Sequence, residues 1–129
     1  MSLANAKVTA TLTVEDLDRA KTFYTEKLGL SEAPDKVDDP MGGVLLQAGN
    51  GTQLYLYKSG APKATNTVAA FTIDDVTATV KDLKSKGVEF ESYDLPGLKT
   101  DEDNIVTSGE LKAAWFKDTE GNTLGIANQ

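Results

Sequence analysis

The stretch VEDLDRAKTFYTEKLGL, residues 14–30, decides the fold because it joins the end of a strand to a capped helix and a stop signal. Asp16 is a natural N-cap, since its carboxylate can accept hydrogen bonds from the free N–H groups of the first turn. Gly29 ends the predicted helix 16–28, because glycine tolerates the left-handed conformation that follows a helix. Apolar side chains recur on one face of that helix, namely Leu17, Ala20, Tyr24 and Leu28.

The same pattern returns later in the chain. Ile73 lies 59 residues after Val14, and Asp75 stands at the same offset from Asp16. A second capped helix is therefore predicted over 75–86, ending at Gly87. A chain that contains one strand–helix unit twice indicates two copies of a single module.

The remaining segments complete each copy. Strands are predicted at 7–14, 43–48, 52–58, 67–73, 88–93, 110–117 and 122–127, and residues 31–42 are predicted to be a loop with room for a short edge strand. Asn50-Gly51 is a strong hairpin signal. The long polar segment 94–109 is predicted to be a loop and is typical of a lid. We predict an α+β fold with a βαβββ module written twice in a single domain, residues 1–129: module one at about 7–58, a linker at 59–66 and module two at about 67–128.

Composition excludes several functions. The 129 residues include no cysteine and no histidine. A Ser-His-Asp triad and the usual His or Cys zinc site are therefore impossible, and a metal would need oxygen ligands. The lack of cysteine, of a signal peptide and of a long apolar run predicts a cytoplasmic protein with no membrane partner.

The charge balance bears on partners. The chain has 20 acidic and 13 basic residues, a formal net charge of −7. Nucleic acid is not expected as a partner, because phosphate neutralisation supplies most of the non-specific affinity for it. A cationic small molecule would be attracted by this field, although the acidity is also explained by solubility.

The two faces of the predicted sheets differ in chemistry. The helix-side face is apolar and forms the core: Val8, Leu12, Val14, Val44, Leu46, Leu54, Leu56, Phe71, Ile73, Phe116, Leu124 and Ile126. The opposite face carries hydroxyls, amides and aromatic rings beside small residues, which is typical of a small-molecule site. We expect ligand contacts from Thr9, Thr11, Gln53, Tyr55, Tyr57, Val68, Trp115 and Gly125.

Two motifs resemble a known superfamily. Residues 14–30 are similar to the opening motif of the vicinal oxygen chelate superfamily, which contains glyoxalase I, bleomycin-resistance proteins and extradiol dioxygenases. Residues 113–124, AAWFKDTEGNTL, are similar to its closing hairpin, with Thr119 where proline is usual. The resemblance implies a cleft-shaped, half-barrel mixed sheet with helices on its outer face, and a homodimer.

The family's four metal positions fall on Thr9, Tyr55, Val68 and Gly125. This set lacks the family's histidine and glutamate ligands, so the resemblance implies a member without the metal site. Metal-dependent glyoxalase activity is not expected, and no cofactor is expected.

Two functions follow from this resemblance. The first is a metal-free protein that sequesters a cationic or aromatic small molecule, similar to the bleomycin-resistance type. The alternative is a lyase or isomerase with non-standard catalytic residues, in which Tyr55 or Tyr57 serves as acid and a loop carboxylate as base.

Overall fold

A computed structural model describes residues 2–33, 42–62 and 65–129. The chain divides into two compact units, Met1–Pro62 and Lys63–Gln129, and the division falls inside the predicted linker. Each unit holds a mixed four-stranded sheet and one α-helix, so the predicted α+β class is confirmed. That the two units make one domain stays a prediction. No helix in the described ranges is long and apolar enough to cross a membrane.

Unit one follows the predicted order of elements. Its elements are β1 (Thr9–Val14), α1 (Leu17–Thr22), β2 (Ser31–Glu32), β3 (Val44–Gln47) and β4 (Gln53–Lys58). The sheet order is β1-β4-β3-β2, with β1 parallel to β4 and the other pairs antiparallel. The hairpin between β3 and β4 is confirmed: Asn50 and Gly51 have φ of 56° and 76°.

The first helix differs from its prediction in one respect. Asp16 caps it as expected, its Oδ1 accepting from the Arg19 N–H at 3.0 Å. The predicted helix 16–28 is present, but only Leu17–Thr22 is α-helical, and it continues without a break into a π-helical turn, Phe23–Lys27. The wider turn buries the rings of Phe23 and Tyr24 side by side, with their centroids 5.4 Å apart. Gly29 then reverses the chain at φ 80°.

The alternating pattern of the first strand is confirmed from Thr9 onward. Leu12 and Val14 are buried, as are Leu54 and Leu56 on the neighbouring strand. The prediction that Val8 joins the core is wrong: its side chain is 86% exposed because the strand begins one residue later.

Unit two has more elements than predicted. They are β5 (Thr67–Thr72), α2 (Val76–Ser85), β6 (Asp94–Leu95), β7 (Leu98–Lys99), β8 (Val106–Ser108), β9 (Leu111–Lys117) and β10 (Thr123–Ala127). The main sheet has the order β5-β10-β9-β8, with β5 parallel to β10. The Asp75 carboxylate caps α2 by accepting from the Ala78 N–H at 3.0 Å, as predicted.

The predicted strand 88–93 is reduced to a single bridge between Phe90 and Phe116. Two backbone hydrogen bonds flank it, from the Glu91 N–H to the Trp115 carbonyl and from the Lys117 N–H to the Glu89 carbonyl. The segment therefore lies along β9 but is too short to form a regular strand.

The prediction of an unstructured loop over 94–109 is wrong, because β6, β7 and β8 lie within it. Hydrogen bonds also hold this segment against the rest of unit two. Lys84 of α2 donates to the Asn104 side-chain oxygen at 2.7 Å, and the Asn104 amide donates to the Glu91 carbonyl at 3.1 Å. Ile105 is buried. The lid role stays a prediction, and a lid built on this segment would have to release these contacts.

Candidate ligand-binding faces

The predicted site residues of unit one come together on one face of its sheet. The parallel register places Thr9 beside Gln53, and Thr11 beside Tyr55. Tyr57 follows on the same face because alternate residues of a strand point the same way. Thr11 is exposed and the others are half-buried. We call these five residues the unit-one face.

A glycine shapes the unit-one face. A Cβ atom added at Gly43 would clash with the hydroxyl end of Tyr55, meeting first its phenol oxygen, then Cζ, and then Cε1 at 2.6 Å. The Tyr55 ring therefore lies across the backbone at Gly43, and it stacks on Tyr57 with 6.0 Å between ring centroids and 19° between planes. Sequence reasoning missed Gly43, although a glycine just before a strand often marks the close approach of another group.

The predicted residues of unit two, Trp115 and Gly125, lie opposite each other on β9 and β10. A Cβ atom added at Gly125 would lie 3.4 Å from both Cδ1 and Nε1 of the indole. One side of the half-buried indole therefore lies against the Gly125 backbone. Alternation places three further residues on this side of the sheet, so the unit-two face consists of Ala70, Trp115, Lys117, Thr123 and Gly125.

Tyr93 contacts the unit-two face and was missed by sequence reasoning. Its ring meets Trp115 edge to face, with 5.5 Å between centroids and 75° between planes. Burial raises the pKa of the Tyr93 phenol above its ordinary value, and the Glu91 carboxylate raises this pKa further. Tyr93 follows Phe90 by three residues, so strand alternation places the two side chains on opposite faces. Because the Phe90 ring contacts Phe116, alternation could have placed Tyr93 on the Trp115 side.

Lys117 and Thr123 were also missed. The Lys117 ammonium donates to the Thr123 hydroxyl at 2.6 Å, and Thr123 is buried. The signal in the sequence is the spacing: Lys117 follows Trp115 by two residues and so shares its face. The unit-two face therefore carries a positive charge, held by Thr123, on the same strand face as the indole.

Val68 lies at an irregularity of the sheet. Thr67 pairs with Thr123 and Ala69 pairs with Leu124, which leaves Val68 as the extra residue of a β-bulge. The corresponding strand pair of unit one has no such interruption. The predicted equivalence between the two modules is therefore broken at this position.

The four residues that the sequence resemblance assigns to the family's metal positions do not fit a divalent ion. Thr9 and Tyr55 offer only neutral hydroxyls, Val68 offers a hydrocarbon, and Gly125 has no side chain. The Trp115 indole also covers Gly125. Divalent ions in proteins are held by carboxylates, imidazoles, thiolates or several carbonyl oxygens, and this set supplies none of these side chains.

Comparison with known proteins agrees with the fold. A model of the Glyoxalase/Bleomycin resistance protein/Dioxygenase superfamily matches residues 7–126, so the chain belongs to this family. The YetH protein of Bacillus subtilis (strain 168) is 32% identical over 121 residues, covering 90% of this chain and 92% of YetH.

Solved structures share the fold at lower identity. A superfamily member from Sphaerobacter thermophilus DSM 20745 has a TM-score of 0.74 at 22% identity, covering 98% of both chains. The fosfomycin resistance protein FosX of Listeria monocytogenes, solved with Mn(II) and sulfate, has a TM-score of 0.66 at 16% identity, covering 99% of this chain and 94% of FosX.

Proposed function

We propose that this protein is a metal-free member of the superfamily that binds and sequesters a small molecule on the aromatic, hydroxyl-bearing faces of its sheets. One observation carries the proposal: on each face, a half-buried aromatic side chain, Tyr55 or Trp115, lies against a glycine. Such rings offer a flat surface to a planar or cationic ligand. The donor set at the family's metal positions supports a role without a metal.

A thermal-shift screen tests the proposal, with divalent metals in one arm and small organic molecules, cationic and aromatic, in the other. A ligand at 100 times its Kd stabilises the folded state by about 2.7 kcal/mol and raises the Tm by several degrees. We expect shifts with organic ligands and not with Mg²⁺, Mn²⁺, Ni²⁺ or Zn²⁺. Trp115→Ala should weaken binding of an organic ligand on the unit-two face, and Tyr55→Ala should weaken binding on the unit-one face.

A reproducible shift with a metal alone would contradict the proposal. So would metal-stimulated turnover of the methylglyoxal–glutathione hemithioacetal by pure protein, and the lyase or isomerase alternative would then take its place.

The proposal includes a cytoplasmic homodimer that binds neither nucleic acid nor membranes. Sedimentation at micromolar concentration tests the oligomeric state, and a monomer would remove the dimer from the proposal without affecting ligand binding on the faces.

A further inference from the structure

We propose that the unit-two face binds a planar aromatic ring carrying an anionic group, with the ring on Trp115 and the anion on the Lys117 ammonium. The inference rests on the proposed binding function and names the chemical class of its ligand. It runs against the net charge of −7, which by itself favours cations. The charges close to the site determine which ligand charge it favours, because exposed charges are largely screened beyond about 8 Å at physiological salt.

The Lys117 ammonium is positioned but not neutralised. Its partner is the neutral hydroxyl of Thr123, and among residues 2–33, 42–62 and 65–129 no carboxylate oxygen lies within the 4.0 Å of an ion pair. An ammonium has three donors, so two remain for a ligand. A half-buried cation beside a neutral partner favours a counter-anion, since removing charge from water is costly without one.

Two carboxylates would compete with a bound anion, namely Glu89 and the half-buried Glu91, whose backbone N–H donates to the Trp115 carbonyl. The bridge at Phe90 places Glu89 across from Lys117, on the neighbouring segment. Glu89 is exposed, however, and the Lys117 side chain turns the other way, toward Thr123 on β10. An anion bound at Lys117 would therefore meet repulsion from Glu89 rather than a closed ion pair.

The aromatic part of the ligand follows from Trp115. One side of the indole lies on Gly125 and its position is fixed by the edge of Tyr93, while the residue as a whole is only half-buried. Trp115 and Lys117 are two residues apart on one strand, which separates their Cα atoms by roughly 7 Å. A one- or two-ring molecule with an anionic substituent spans that distance, and offset stacking on indole is favourable.

Intrinsic fluorescence tests the inference directly, because Trp115 is the single tryptophan of the chain. Four probes share a ring and differ in charge: phenylacetate, phenyl phosphate, neutral phenylacetamide and cationic benzyltrimethylammonium. We expect the two anions to bind more tightly than the other probes and to weaken as salt is added. The carboxylate and phosphate arms show which anionic group is preferred.

Four variants assign the effect to Lys117. Lys117→Gln should weaken anion binding about tenfold, as expected for losing one charge-assisted hydrogen bond. Lys81→Gln, a matched loss of one exposed charge on α2, should leave the Kd unchanged. Glu89→Gln should tighten anion binding, and Lys117→Arg should retain it.

Equal binding of all four probes, preference for the cation, or unchanged anion binding by Lys117→Gln would each overturn the inference while leaving the proposed function in place. Absence of binding by every probe also overturns it, and the proposed function then depends on the wider screen. If Lys117→Gln fails to fold, the charge series and salt dependence of the unmodified protein still decide the question.

Discussion

The two units each place an aromatic ring opposite a smaller residue across a hairpin, but the ring comes from a different strand of the hairpin in each unit. Leu45 faces Tyr55 across the hairpin of unit one, and Trp115 faces Gly125 at the corresponding place in unit two. The large ring stands on the second strand of the hairpin, β4, in unit one and on the first strand of the hairpin, β9, in unit two. The repeated module thus preserves the register of its hairpin while exchanging which strand supplies the ring.

The faces also differ in charge. Unit one presents Gln53 among hydroxyls and phenols, whereas unit two presents the Lys117 ammonium beside its indole. Two faces of similar shape therefore offer different chemistry to a ligand.

The largest expected effect tests whether the two cores contribute equally. Leu46 and Phe116 occupy corresponding, fully buried positions on β3 and β9. Leu46→Ala should lower the free energy of unfolding by about 2–5 kcal/mol and Phe116→Ala by about 3–5 kcal/mol, since each leaves a cavity. Urea denaturation measures both. A loss below about 1 kcal/mol for either would show that its unit repacks freely.

The next effect separates the two glycines. Gly43→Ala places a methyl group against the hydroxyl end of Tyr55, so we expect stability to fall by about 1–3 kcal/mol as the ring is displaced. Gly125→Ala meets the indole at 3.4 Å, an ordinary contact, and should change stability by less than about 0.5 kcal/mol. Denaturation midpoints of the two variants measure both losses of stability. Equal losses would contradict the proposed difference between the packing at Gly43 and at Gly125.

The helix caps are expected to be equivalent. Asp16 and Asp75 each accept from a backbone N–H three residues on, at 3.0 Å. Replacement of either by alanine should cost about 1 kcal/mol, while replacement by asparagine, which also caps, should cost much less. Thermal unfolding of the four variants tests this. A much larger loss of stability at one cap than at the other would show that the carboxylate of that cap has a further structural role.

The smallest effect concerns alkaline pH and Tyr93 of unit two. The folded state raises the pKa of Tyr93 above its ordinary value of 10.0, so the unfolded chain loses this proton first. Stability should therefore fall as pH rises past 10.0 and through the higher folded pKa. Tyr93→Phe should lose less stability than the unmodified protein between pH 9 and about pH 11, and an identical decline in both would exclude the effect.

Local signals predicted much of the fold. The caps at Asp16 and Asp75, the turn at Asn50-Gly51 and the alternation through Leu12 and Val14 depend on neighbouring residues, and sequence displays these directly. The π-helical turn at Phe23–Lys27 could not be predicted, because burial of two adjacent rings overrides helical periodicity.

The candidate faces were predictable only in part. Strand alternation placed Tyr55, Trp115 and Gly125 correctly, since face membership follows from counting by two. Gly43 and Tyr93 required knowledge of where a ring lies along its strand, and the bulge at Val68 depends on the pairing of two distant strands. A glycine at a strand start and strand alternation give only a partial signal for Gly43 and Tyr93, because the ring positions and the bulge depend on tertiary packing.

The indole that lies against Gly125 limits which side chains can occupy position 125. A methyl group there would meet the indole at 3.4 Å, whereas a longer side chain pointing the same way would have to displace the Trp115 ring. The sizes of the side chains at positions 115 and 125 are therefore coupled, and a large residue at one position requires a small residue at the other.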